Sequence, residues 1–309
     1  MTLITTPTLT KSTPRTLRTV RNCLVHQKSS TGNSICRSKA KIPAQMLHLQ
    51  GSQMLQMLEK SLRKGLPESL KVYGTVFHMN QGNPFKLKAL VDKWPDFNTV
   101  VVRPQEKEMT DDLDHYTNTY QIYSKDPKNC QEFLGSPEVI NWKQHLQIQT
   151  KKLVPSLLDA QKLSPDGAAY NSTTILNQEM FKLSSLDVTH AALVDKFWSF
   201  GGNEKSQRFI KRCIQNFPTF CVLGPEGTPV SWDLMDQTGE LRMAGTMPEY
   251  RRHGLVFQVI RAQVQALEKF NFPMYSHVDR ANHAMRKVCF KLSFVPMPAD
   301  WNQWKYEPL

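Results

Sequence analysis

The sequence predicts an α/β (α+β) protein of two domains, the second built on a mixed, mostly antiparallel sheet flanked by helices. Three observations carry this expectation. The chain has 309 residues, enough for two ordinary hydrophobic cores. Helical and alternating apolar patterns interleave through its first half, as α/β domains require. From Phe220 onward the order is three strands separated by tight turns, a helix, a short strand and a second helix.

The elements follow in order. Met54, Leu55, Met57, Leu58 and Leu62 give an amphipathic helix over Gly51–Leu66. Leu70, Val72, Gly74 and Val76 alternate and predict a strand, and Phe85–Trp94, closed by Pro95, predicts a helix. Asn98–Val102 is a continuous apolar strand, Tyr116–Tyr123 alternates again, and Asp126–Leu134 predicts a short helix. The turn-rich, polar stretch within 162–176 is a linker between a first domain, 46–161, and a second, 177–309. There Asp187 or Thr189 caps a helix through Trp198, and another runs from Glu204 to about Phe217. Strands at Phe220–Leu223 and Val230–Met235 lead to a third that begins at Glu240. Pro248 ends it, and Val256, Val259, Ile260 and Val264 then fall at helical spacing. Met274–Val278 is a short strand and Asn282 opens the last helix, to about Leu292.

Composition narrows the function classes. With 40% hydrophobic and 21% charged residues the chain has an ordinary globular composition, and no apolar run reaches the length of a membrane span. The formal charge is +12, but eight basic residues lie in positions 1–45, where no acidic residue appears. Without them 31 basic residues face 27 acidic ones, too slight an excess for a nucleic-acid-tracking surface. The basic, Ser- and Thr-rich, acid-free segment 1–45 reads as a mitochondrial presequence or a disordered extension outside the fold, so a mitochondrial matrix location is expected. The six cysteines show no paired spacing and are expected to be reduced thiols; no His, Cys or carboxylate cluster has metal-ligand spacing.

The chemistry concentrates between Glu240 and Val256. Arg251, Arg252, His253, Gly254, Leu255 and Val256 join strand to helix, so unpaired backbone N–H groups, the positive end of a helix dipole and two guanidinium groups meet at one point. Such a turn is suited to a pyrophosphate. Its spacing resembles the coenzyme A signature of the GCN5-related N-acetyltransferase superfamily (Arg or Gln, two residues, Gly, one residue, Gly or Ala). Arg251 and Gly254 match and Val256 departs.

A narrower resemblance covers Met46–Leu309. SLKVYGTVFHMNQGNPFKLKALVDKWPDFNTVVV and MTDDLDHYTNTYQIYSKDP are similar to the first domain of the mammalian acyl-CoA:glycine N-acyltransferase family, and LGPEGTPVSWDLMDQTGELRMAGTMPEYR to its catalytic domain. Two departures stand out: residues 1–45 precede the family's usual start, and after Gln149 a segment of several helical turns is missing. The resemblance implies a monomeric enzyme acting on acyl-CoA and glycine, with acyl-CoA as co-substrate and no permanently bound cofactor or metal. It implies Glu240 as general base, raised by burial or working through water. It puts Asn282 where relatives hydrogen-bond coenzyme A, and Cys289 where many carry a tyrosine acid. The acceptor's carboxylate would need an arginine, for which Arg242 and Arg280 are candidates, and a bulge within Met243–Thr246 would offer a backbone N–H to the oxyanion. Glutamine or a protein lysine remains open as acceptor, as does an acyl-CoA-binding role without catalysis.

Overall fold

A computed structural model of the chain describes residues 2–6, 46–151, 181–268, 272–279, 281–297 and 301–308. In chain order the elements are β1 (Thr2–Thr6), β2 (Leu47–Leu49), α1 (Ser52–Lys64), α2 (Leu70–Asn80), β3 (Leu87–Val91), β4 (Thr99–Pro104), β5 (Thr119–Ser124), α3 (Pro127–Leu134) and β6 (Leu146–Lys151). They continue with β7 (Lys182–Ser184), α4 (Ala191–Phe197), α5 (Glu204–Asn216), β8 (Phe220–Leu223), β9 (Pro229–Met235), β10 (Leu241–Thr246), α6 (Leu255–Glu268), β11 (His277–Asp279), α7 (His283–Lys291), β12 (Val295–Pro296) and β13 (Trp301–Tyr306). The expected 162–176 linker lies outside the described residues.

The first sheet has the order β13-β6-β5-β4-β3-β2, antiparallel except for β5 and β6. The second, β10-β9-β8-β7, is wholly antiparallel. Together they confirm the mixed α/β class, with the expected three-strand meander extended by β7. β13 follows the second domain's helices yet pairs with β6, Trp304 opposite Ile148, so the end of the chain closes the first sheet. One continuous core joins the two regions: Tyr73 and Phe77 lie against Phe272, and Phe85 stacks on Phe217 at 5.5 Å. Two arginines of α5 add ion pairs across the same boundary, Arg208 to Asp114 and Arg212 to Glu108, both at 3.2 Å.

Two elements differ from the sequence expectation. Leu70–Val76 is not a strand but the first two turns of α2. Period-two apolar spacing misleads here because α2 lies between the two regions and is buried nearly all round, Lys71 and Thr75 included. Phe85–Trp94 is not a helix; it holds β3, whose Leu87, Ala89 and Val91 share a face and pair with β4. Thr2–Thr6 also depart from the expectation that 1–45 stay outside the fold. This β-branched run forms β1, parallel to β11 and to β12, with Ile4 beside His277 and Thr2 beside Val295. Residues 7–45 lie outside the described residues. Among those described, no helix is long and apolar enough to cross a membrane.

Candidate active site

Glu240 is delivered by the tight turn between β9 and β10. Asp236 accepts hydrogen bonds from the Thr238 backbone N–H at 2.8 Å and the Thr238 hydroxyl at 2.6 Å, and Gly239 takes φ +79°, which a side chain would resist. The Tyr275 hydroxyl donates to the Thr238 carbonyl at 2.9 Å. α2 closes over the same turn, so tightly that a Cβ on Gly74 would stand 1.8 Å from the Thr238 carbonyl oxygen. This contact brings Lys71 of α2 to Glu240.

The result is a buried cluster of three charge-bearing groups. The Lys71 ammonium lies 2.5 Å from Oε2 of Glu240, and Nδ1 of His277 lies 2.7 Å from Oε1, which also accepts from the His277 backbone N–H at 3.2 Å. Glu240 is only 4% exposed. Burial pushes its carboxyl up, but His277 and Lys71 override that and hold it well below the usual carboxylate range. The expectation that burial raises Glu240 is therefore corrected: two donors within 3 Å outweigh the lost water. Burial moves His277 the opposite way, below its ordinary 6.5, despite the pull of Glu240. The Nε2 of His277 is buried with no hydrogen-bond partner among the described residues.

Glu240 also stands where two strands part. It bridges Tyr275 in parallel, and the Leu241 N–H donates to the Tyr275 carbonyl at 2.9 Å. Beyond that point β10 pairs with β9 and β11 with β1, leaving a V between them. The expected bulge is present: the register with β9 shifts between Arg242 and Gly245, and Met243 sits at φ +62°. Asp233 of β9 is buried with neither carboxyl oxygen paired among the described residues, and desolvation, with Glu240 nearby, holds it well above the usual carboxylate range.

The other end of β10 is open. Arg251 and Arg252 are exposed, Arg252 and Gly254 take φ +68° and +73°, and a Cβ on Gly254 would meet no atom within 4 Å. Arg251 Nε donates to the Thr246 carbonyl at 3.2 Å, tying the turn to the end of the strand. His253 is half-buried, while Leu255 and Val256 begin α6, whose first-turn N–H groups have no carbonyl four residues back within the helix. Asn282 caps α7, its Oδ1 accepting from the Met285 N–H at 3.0 Å. Strand and turn thus line up Glu240 with residues 251–256, and α7 sets Asn282 just after β11.

Other candidates find structural places. Arg242 is committed to Asp236 at 2.9 Å and lies over the Trp198 ring; although burial works against its charge, Glu240 and Asp236 keep it firmly protonated. Arg280 lies outside the described residues. Cys289 is packed in the core, its thiol pushed up by burial to about 11, so it is no thiolate nucleophile at neutral pH. Sequence reasoning missed Lys71 and gave His277 no role. The available signal for Lys71 was a charge inside an apolar run, and for His277 a polar side chain within a strand of otherwise apolar spacing.

Residues 46–153 and 149–218 match the family described as aralkyl acyl-CoA:amino acid N-acyltransferase, and residues 220–308 match its C-terminal region. The human glycine N-acyltransferase is 65% identical, covering 85% of this chain and all of the relative. That alignment spans 298 positions, whereas 85% of 309 residues is about 263, so about 35 positions face gaps in this chain. A bovine glycine N-phenylacetyltransferase is 60% identical over the same shares. Among solved structures, a Drosophila protein covers 85% of this chain and 98% of its own at a TM-score of 0.58 and 12% identity, a likeness of fold. With family matches running from residue 46 to 308 and relatives at 60% and 65% identity, the chain belongs to the aralkyl acyl-CoA:amino acid N-acyltransferase family.

Proposed function

We propose that the chain transfers the acyl group of an aromatic or short acyl-CoA, benzoyl-CoA among them, to the amine of glycine, releasing N-acylglycine and coenzyme A. The observation that carries this reading is the buried Glu240 at the root of the V between β10 and β11, with the Arg251–Val256 turn at the far end of the same strand. The turn takes the pyrophosphate on the first N–H groups of α6 and on Arg251 and Arg252. The pantetheine arm then runs along the V toward Glu240, past Asn282, and the backbone of the Met243 bulge receives the oxyanion. An amine attacks a thioester only when neutral, so proton removal at the Glu240 cluster sets the rate. Attack is direct, without an acyl-enzyme. The acid-free basic segment 1–45 supports a mitochondrial location.

Purified protein given benzoyl-CoA should release free thiol in a glycine-dependent manner, and Glu240→Gln should lower kcat roughly 10²- to 10⁴-fold. Release driven by glutamine or a lysine peptide but not glycine would move the acceptor assignment. Tight benzoyl-CoA binding without release to any amine would make this a binding protein.

A further inference from the structure

Two carboxyl groups are buried near one another in the second region, and they differ in what meets them. Asp233 of β9 has no side-chain partner among the described residues, and desolvation drives its carboxyl well above the usual range. Glu240 is desolvated in the same way, yet His277 and Lys71 bring it well below that range. Burial alone therefore works against an ionised carboxylate here, whereas a general base must be ionised before it can accept a proton.

Lys71 meets that requirement from the other domain. Its ammonium lies 2.5 Å from Oε2 of Glu240, and both side chains are almost wholly buried. The two residues are 169 positions apart, and the contact of Gly74 with the Thr238 carbonyl fixes the separation of the elements that carry them. Stability gives no reason for the pair, because a buried ion pair contributes little more to folding than well-packed apolar side chains in its place.

The pairing also aims the carboxylate. An ionised carboxylate offers about four lone pairs. Oε1 accepts from Nδ1 of His277 at 2.7 Å and from its backbone N–H at 3.2 Å, while Oε2 accepts from Lys71. The acceptor position that remains is on Oε2, and the bridge to Tyr275 sets Glu240 at the root of the V between β10 and β11.

We propose that Lys71 is a positioning residue for acyl transfer: carried in from the first domain, its ammonium holds the Glu240 carboxylate in place to take the proton of the amine. The proposal rests on the glycine acyl-transfer reading above, with Glu240 as the base. Lys71 touches no reacting atom and acts through Glu240. The first domain is then part of the catalytic centre as well as its support.

The groups facing the carboxylate are His277 of β11, Lys71 of α2, Arg242 of β10, Tyr275, Asp233 of β9 and Asp236 of the turn. Lys71 is among those that lower the pKa of Glu240. Without it that pKa rises, so the acid limb of kcat/KM moves to higher pH.

The test uses the full chain, benzoyl-CoA and glycine. Lys71→Met keeps the length of the side chain and removes its charge. It should lower kcat roughly 10- to 100-fold at pH 7, move the acid limb up by at least about one pH unit, and keep benzoyl-CoA affinity within about threefold by calorimetry. The double variant Lys71→Met/Glu240→Gln removes both charges, so it leaves no buried charge unpaired and decides the matter should the single variant fail to fold. Because Lys71 acts only through Glu240, the double variant should be no more than about fivefold slower than Glu240→Gln. An acid limb unmoved in Lys71→Met, or a double variant slower than that bound, would overturn the proposal alone. Wild-type protein without glycine-dependent release would instead sink the function reading beneath it.

Discussion

The two ends of β10 are built on opposite principles. At the Glu240 end an ammonium and an imidazole from two other segments are each held within 3 Å of the carboxylate and away from water. At the Thr246 end Arg251 and Arg252 are exposed, and Gly254 faces open space. On the function proposed above, the difference follows from what each end would do. A proton is moved reproducibly only by groups whose distances do not change, and low dielectric strengthens every interaction among them. On the same reading a large polyanion would enter and leave each turnover, and solvated cations and backbone N–H groups that can be reached from outside suit that task.

The largest effect that sharpens this comparison is expected at Gly254. Its φ of +73° is strained for any side chain, and most of all for a β-branched one, although the protein itself offers no clash. Gly254→Val should therefore weaken benzoyl-CoA binding about 10- to 100-fold, about 1.4 to 2.8 kcal/mol, through the shape of the turn and the side chain standing before the helix N-terminus. Glycine KM should change little. Calorimetry showing wild-type affinity would mean that this end of β10 does not receive the anion.

The buried end should respond differently, through stability first. At Gly74 the obstacle is the Thr238 carbonyl oxygen, 1.8 Å from any added Cβ, and it belongs to the turn that delivers Glu240. Gly74→Ala must push α2 and the turn apart, which should cost about 1–3 kcal/mol in urea unfolding and lower kcat because Lys71 and Glu240 move with them. Affinity for benzoyl-CoA should hold. Equal stability of the two proteins would show that α2 can shift without strain, and that the cluster is less tightly held than its distances imply.

This asymmetry also explains what could be read from the sequence. The exposed turn was legible as the junction of a strand and a helix because its signals are local: Arg251, Gly254 and the helix that follows lie within one short stretch. The meander, α6 and α7 were legible for the same reason. The buried cluster was not. Glu240 and Lys71 are 169 residues apart, and only the packing of α2 on the Asp236–Gly239 turn joins them. That packing buries α2 on every side, which erased its helical periodicity and made it read as a strand. β13 was invisible for a related reason, since its partner β6 lies more than 150 residues earlier. His277 drew no role, because spacing along the chain carries no sign of a carboxylate 37 residues away.

The smallest effect expected concerns acid. Three partly buried histidines have their pKa lowered by desolvation: His277, His78, whose Nδ1 meets the Gln237 carbonyl oxygen at 3.1 Å, and His115, brought down to about 4. Around His115, Lys305, His145 and Lys205 disfavour the charged ring while Asp114 favours it, and its Nε2 is buried without a partner among the described residues. Such groups bind fewer protons in the folded chain than in the unfolded one, where histidine titrates near 6.5. Their contribution is therefore complete above pH 6.5 and is lost progressively as pH falls from 6.5 toward 4 for His115. Half-buried as it is, His115 should account for on the order of 1–2 kcal/mol of that loss after allowance for solvent. Melting temperature should fall across this window, before the carboxylates titrate, and His115→Asn should flatten the fall, since an amide acquires no charge. A profile level from pH 7 to 4.5, or one unchanged in His115→Asn, would place the acid sensitivity elsewhere than in the neutral histidines of the buried regions.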